Sequence, residues 1–157
     1  MSIPFFPDQI EDTITHVFSE YLTNSPGKNW IAVINNMSFI PDYCIVRQIT
    51  YTEAITAGQA SNPKTYVIYA NLSGGFDFLG CFNAPNISSV GANGSAGCNI
   101  FPNTVIKVHQ RPTQNVNFQI LTPSQVAGVN DTLTNADDCN GSLCILVEFI
   151  KLKKLSK

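Results

Sequence analysis

The run VNFQIL, Val116 to Leu121, puts Val116, Phe118 and Ile120 on one side of an extended chain and Asn117 and Gln119 on the other. A two-residue period of this kind marks a strand with one face in a core and one in water. Working back, Thr104 to Gln110 sets Ile106 and Val108 against Lys107 and His109, and Arg111 to Gln114 offers a turn around Pro112, so the two segments read as a hairpin. Working forward, Leu143 to Leu152 places Leu143, Ile145, Val147 and Phe149 on one face and Cys144, Leu146, Ile150 and Leu152 beside Glu148 on the other. Apolarity on both faces predicts a central strand covered on both sides.

Four more segments carry β-branched and aromatic clusters: Asn29 to Met37, Tyr43 to Thr52, Thr65 to Leu72 and Phe76 to Phe82. Turn-forming stretches separate them, and Ser73-Gly74-Gly75 is short enough for a hairpin. Thr13 to Leu22 suits either a helix, striped by Ile10, Ile14, Val17, Phe18 and Leu22, or a strand. The strand is taken for its β-branched density and because seven other strands need an eighth. Asn83 to Pro102 and Pro123 to Ser142 lack hydrophobic periodicity and read as long loops projecting from one end.

Eight antiparallel strands in 157 residues predict an all-β fold, a single eight-stranded antiparallel jelly-roll sandwich over residues 13–152. An N-terminal arm (1–12) precedes it and a basic C-terminal tail (153–157) follows. An immunoglobulin-like sandwich is the alternative, but Trp30 lacks the cysteine spacing that fold places around it.

Charged residues make up only 13% of the chain, while Asn, Thr, Ser and Gln are plentiful. A neutral, hydrogen-bonding surface costs less to desolvate than a charged one and suits packing against other proteins. A net charge of −2 gives no basic patch for a polyanion, so no nucleic acid is expected as partner. The local exception is Lys151, Lys153, Lys154 and Lys157, which read as a solvated tail or as a contact with an acidic neighbour, an internal membrane's headgroups or nucleic acid. The opening residues carry prolines and acids where a signal peptide would be basic and then apolar, so export by that route is not expected. Opposite in character is the apolar stretch Ile3, Pro4, Phe5, Phe6 and Pro7, whose exposed side chains would need a cover. Ile3, Phe5 and Phe6 are therefore candidate assembly contacts, docking on a neighbour or folding back on their own sandwich.

Chemistry is sparse. His16 and His109 each sit in a strand pattern without a companion acid, and no His-x-His occurs, so neither nucleophilic catalysis nor a cupin-type metal site is expected. Gly91-Ala92-Asn93-Gly94 lacks the lysine of a phosphate loop, and Asp131, Asp137 and Asp138 do not follow calcium-loop spacing. Cys44, Cys81, Cys98, Cys139 and Cys144 read as reduced thiols, with a disulfide left open for Cys98 and Cys139 in loop-like segments. Six Asn-x-Ser/Thr sequons, at Asn36, Asn71, Asn86, Asn93, Asn130 and Asn140, read as unmodified. No enzyme, metal or cofactor is expected.

The segments NWIAVINNMSFIPDYCIVRQITYT (29–52), TYVIYANLSGGFDFLGCF (65–82), NTVIKVHQRPTQNVNFQIL (103–121) and SLCILVEFIKL (142–152), in this order, resemble the single jelly-roll capsid proteins of large double-stranded DNA viruses. That resemblance implies a penton or minor capsid protein, a homopentamer at fivefold vertices. Its partners would be a double jelly-roll major capsid protein and other minor capsid proteins, in a virion built after synthesis in the host cytoplasm. The alternative is a carbohydrate- or receptor-binding jelly-roll module acting through the two long loops. A trimeric signalling ligand of tumour-necrosis-factor type shares the fold, and the missing export signal counts against it.

Overall fold

The computed structural model describes residues 5–22, 29–34, 37–55, 64–84, 94–108, 115–121 and 141–154. Within them lie one 3-10 turn, Pro7–Gln9, and nine strands: β1 (Ile10–Leu22), β2 (Asn29–Val33), β3 (Tyr43–Ile55), β4 (Lys64–Ala70), β5 (Asp77–Ala84), β6 (Gly94–Ile100), β7 (Thr104–Lys107), β8 (Asn115–Leu121) and β9 (Gly141–Leu152). One sheet runs β1-β9-β3-β6, with β7 also paired to β3, and the other runs β2-β8-β4-β5. All pairings are antiparallel. Apart from the β4–β5 hairpin, successive segments alternate between the sheets in the order of a jelly roll, with β6 and β7 together filling the sixth of its eight places.

That split explains the ninth strand. β6 pairs with Ile49–Ile55 and β7 with Tyr43–Val46, both on β3. Between them Pro102 cannot donate to the ladder, and Asn103 adopts a φ of 49°. Asn enters this left-handed region more readily than other side chains that carry a Cβ. The expected loop from Asn83 to Pro102 is thus corrected: its second half is strand. The expected hairpin between Thr104 to Gln110 and Val116 to Leu121 is corrected as well. β7 pairs with β3 while β8 lies between β2 and β4 in the opposite sheet. The hairpin expected at Ser73-Gly74-Gly75 is present as the β4–β5 pair. Gly74 takes a φ of 102° there, and the Asp77 carboxylate accepts from the Ser73 amide (2.8 Å), the Ser73 hydroxyl (2.7 Å) and the Leu72 amide (3.2 Å).

The core fills the space between the sheets. Phe118 on β8 stacks on Trp30 at 4.7 Å and meets Phe18 from the facing sheet at 4.8 Å. Tyr51 reaches Phe82, and Phe82 reaches Tyr66, at 5.0 and 5.3 Å. β9 contributes Leu143, Ile145, Val147 and Phe149, all essentially inaccessible. The registers Leu22↔Gly141, Glu53↔Gly141 and Ile55↔Gly94 bring the strand ends flanking 23–28, 56–63, 85–93 and 122–140 to one end of the sandwich, here the loop end. Ile10↔Leu152 sets both chain ends at the other.

Candidate assembly surfaces

The N-terminal arm meets the outer face of the first sheet at the terminal end. Phe5 is 8% exposed and clusters with Ile45 and Ile150, with Ile10, Tyr43, Val105 and Leu152 packed around them. Its ring lies 5.2 Å from that of Tyr43. The two-sided apolarity of β9 is accounted for here only at the terminal end: its inner face meets the second sheet, and Ile150, on its outer face, meets Phe5. Cys144 on that outer face is exposed, and among the described residues the cover expected there is absent. Phe6, the next residue, is 73% exposed. The 3-10 turn turns the chain sharply, with the Phe6 amide donating to the Gln9 side-chain oxygen (2.8 Å) and the Gln9 amide to the Phe6 carbonyl (3.0 Å). So neighbouring rings point to different surroundings. Ile3 lies outside the described residues.

The lysines of the C-terminal end fasten this arm. The Lys153 amide donates to the Gln9 carbonyl (2.8 Å) and its ammonium to the Asp8 carbonyl (2.7 Å). Lys151 pairs with Glu11 at 3.2 Å on the surface, a contact contributing about 0–1 kcal/mol. Lys154 is exposed, and Lys157 lies outside the described residues. The acids interleaved at this end mean that the lysines do not form an unopposed basic patch. A shallow recess beside them is lined by Ser38, Phe39, Ile40, Asp42 and the segment 151–154. Asp42 closes its floor, accepting from the Leu152 amide at 2.8 Å.

Among the described residues, the outer face of the second sheet and the loop-end part of the first carry no charge. On the second sheet the registers align Asn29, Gln119, Tyr69 and Phe78 across all four strands, flanked by a row of Ile31 and Asn117 and one of Leu121, Val67 and Cys81. Ile31 (62%), Val33 (49%) and Phe78 (47%) are open to solvent, and Tyr69 and Phe78 meet edge-on at 6.0 Å. On the first sheet, toward the loop end, Val17 aligns with Leu146 and Gln48, and Ser19 with Cys144, Thr50 and Asn99. Val17 and Tyr21 are 54% and 50% exposed. Gln48 donates to Asn99 at 2.9 Å, tying β3 to β6 through a neutral pair. Of these positions, Asn117, Gln119, Cys144 and Leu146 are legible from the alternation of their segments as one face of a strand, whereas the pattern gives Val17, Ile31 and Phe78 no strand face. Their common lack of charge became a surface property only once register placed them side by side.

Titratable groups elsewhere serve packing. His16 is half-buried with its ring 4.5 Å from that of Phe18, and burial lowers its pKa below the usual 6.5. Burial and then the nearby Asp77 charge push the Cys44 thiol far up, and burial also raises Cys98. Cys44, Cys81, Cys98 and Cys144 are free thiols, Cys98 belonging to β6 rather than to a loop. His109, Cys139, Gly91 to Asn93 and the loop aspartates Asp131, Asp137 and Asp138 lie outside the described residues. Among the described residues no group of three or more His, Cys, Asp or Glu side chains is placed to hold a metal ion.

No family model matches the chain, and no curated protein matches it. Among solved structures it is similar to a chain in the crystal structure of the T13 IBDV viral particle, at 12% identity and a TM-score of 0.32, covering 98% of this chain and 40% of the other. It is also similar to a chain in the structure of infectious bursal disease virus, Gx strain, at 11% identity and a TM-score of 0.31, covering 99% and 42%. The chain thus spans about two fifths of the length of these structures. The jelly-roll assignment itself stands on the strand order and registers given above.

Proposed function

We propose that this chain is a structural capsid protein, a penton-type subunit that works by self-assembly and by contact with neighbouring capsomers rather than by catalysis. The observation that carries this reading is a pair of outer surfaces on one jelly roll, the whole outer face of the second sheet and the loop-end half of the first, with exposed apolar side chains and, among the described residues, no charge. Isolated soluble domains ordinarily solvate such faces with Lys, Glu and Arg. Here Ile31, Val33, Phe78, Val17 and Tyr21 face outward instead, which suits surfaces that neighbouring proteins cover. The resemblance of the ordered strand segments to single jelly-roll capsid proteins supports the same reading, with a fivefold ring as its specific form. In that setting the major capsid protein and other minor capsid proteins are the remaining partners, and the virion is the location.

The test is the mass of the purified full chain by light scattering behind size exclusion, over a wide range of concentration. A pentamer is expected. A stable trimer, or a monomer at every concentration, would overturn the fivefold-ring reading.

A further inference from the structure

We infer that copies of this chain stack head to tail, the outer face of the β2-β8-β4-β5 sheet of one copy lying on the loop-end half of the outer face of the β1-β9-β3-β6 sheet of the next. This contact deepens the self-assembly reading above and rests on it.

Charge selects these two surfaces. Among the described residues, the outward positions of the second sheet carry amide, hydroxyl, thiol, aromatic and aliphatic side chains and no Asp, Glu, Lys or Arg. The loop-end rows of the first sheet, from Val17 to Leu146 and Gln48 and onward to Tyr21, Ser142 and Thr52, are equally uncharged. The charged groups facing outward on that sheet gather toward the terminal end: Arg47 hydrogen-bonded to Glu148 at 2.7 Å, Glu11 with Lys151, and Lys107. A neutral face loses little on meeting a neutral face, and each would exclude a charged partner by leaving its ions desolvated and unpaired. That rules against an anionic membrane or a nucleic acid as occupant, since among the described residues neither face offers a cation.

Geometry and size then favour a second copy over an unlike partner. The two faces are the opposite outsides of one sandwich, and a ring needs two different patches on opposed flanks of each subunit. Four strands about 4.8 Å apart and about seven residues long at about 3.3 Å each make a face roughly 20 Å square. Such a face supplies about half of the roughly 800 Å² per partner of a standard interface. A two-fold dimer using one face alone would be weak. Each contact in a closed ring keeps that half-size area, but every copy makes two of them and buries about 800 Å² in all, so assembly should go from monomer to ring without a stable dimer.

The chain carries its own reporters. Cys81 is exposed on the second sheet's outer face, and Cys144 is exposed on the first's. Because these thiols sit on opposite sides of one sandwich, a short bismaleimide link between Cys81 and Cys144 reports two copies. Peptide mapping of the crosslinked full-length oligomer should find that heterotypic link. Ile31→Lys and Val17→Lys, each at an exposed position on one of the two faces, should each lower the assembled mass to monomer at a concentration where the parent is assembled, with near-UV circular dichroism unchanged. An assembled parent indifferent to both substitutions would overturn this contact while leaving the self-assembly reading standing. Cys81 to Cys81 links with sensitivity to Ile31→Lys alone would also overturn it, in favour of a two-fold dimer. A trimer that shows the heterotypic link would keep the contact and overturn only the fivefold reading, whereas a parent that never assembles would overturn both.

Discussion

At the scale of single residues the aromatic stack across the sandwich carries the most stability per side chain. Phe118 is 1% exposed between Trp30 of its own sheet and Phe18 of the facing one, so Phe118→Ala removes a ring that packs within one sheet and across to the other. A cost of about 3–5 kcal/mol is expected, read as a lower urea midpoint. His16 adds a pH dependence. Its folded pKa is lowered by burial, whereas the unfolded chain keeps the ordinary 6.5. Between those two values the unfolded state binds a proton that the folded state does not. The His16 contribution to stability is therefore intact above about 6.5 and declines as pH falls through that value toward the folded pKa. His16→Gln removes this window. Chemical denaturation at pH about 7.5 and about 5.5 should show the parent losing more stability on acidification than the variant. Equal losses would mean that burial of His16 is not coupled to folding.

At the scale of elements, alternation made the clearest strands legible: Thr65, Val67 and Tyr69 in β4, Val116, Phe118 and Ile120 in β8, and Leu143, Ile145, Val147 and Phe149 in β9 recur at every second position. β6 was not legible. Its sequence GSAGCNI has no such period, and it is extended because Ile49–Ile55 of β3 offers it a ladder. The hairpin reading of 104–121 failed for a related reason: pattern gives the strand and its faces, whereas the partner is chosen by the global alternation between sheets. The break between β6 and β7 gives a direct test. Asn103→Val places a β-branched side chain at a φ of 49°, and the expected cost is about 1–2 kcal/mol, while Asn103→Gly should be tolerated. The arm gives another. Phe5→Ala uncovers Ile45 and Ile150 and should cost about 1.5–3 kcal/mol, whereas Phe6→Ala, on an exposed ring, should leave the urea midpoint unchanged. The sequence could mark both rings as needing cover but not divide them, since the division comes from the 3-10 turn and from Ile150 facing outward beneath the arm.

At the scale of the whole molecule, the low charge was visible as composition, but its distribution required the registers. The few charges of the described residues fall mainly at the terminal end, where Lys151, Lys153, Glu11 and Asp8 bind the two chain ends together. The second sheet's outer face and the loop-end half of the first sheet's are left uncharged among the described residues, and this division sets how assembly should respond to salt. Contacts held by ion pairs weaken as ionic strength rises, because the screening length falls from about 10 Å at 0.1 M to about 3 Å at 1 M. Contacts between neutral, partly apolar faces have no such loss, and excluded salts such as sulfate strengthen the burial of apolar surface. The assembled mass should therefore persist from about 0.1 M to about 1 M sodium chloride and form at lower protein concentration in ammonium sulfate. Dissociation in sodium chloride, measured by light scattering at fixed protein concentration, would instead transfer the contact to the lysine- and acid-bearing terminal end. In that event Lys154→Ala, at an exposed ammonium, should weaken assembly where Ile31→Lys does not.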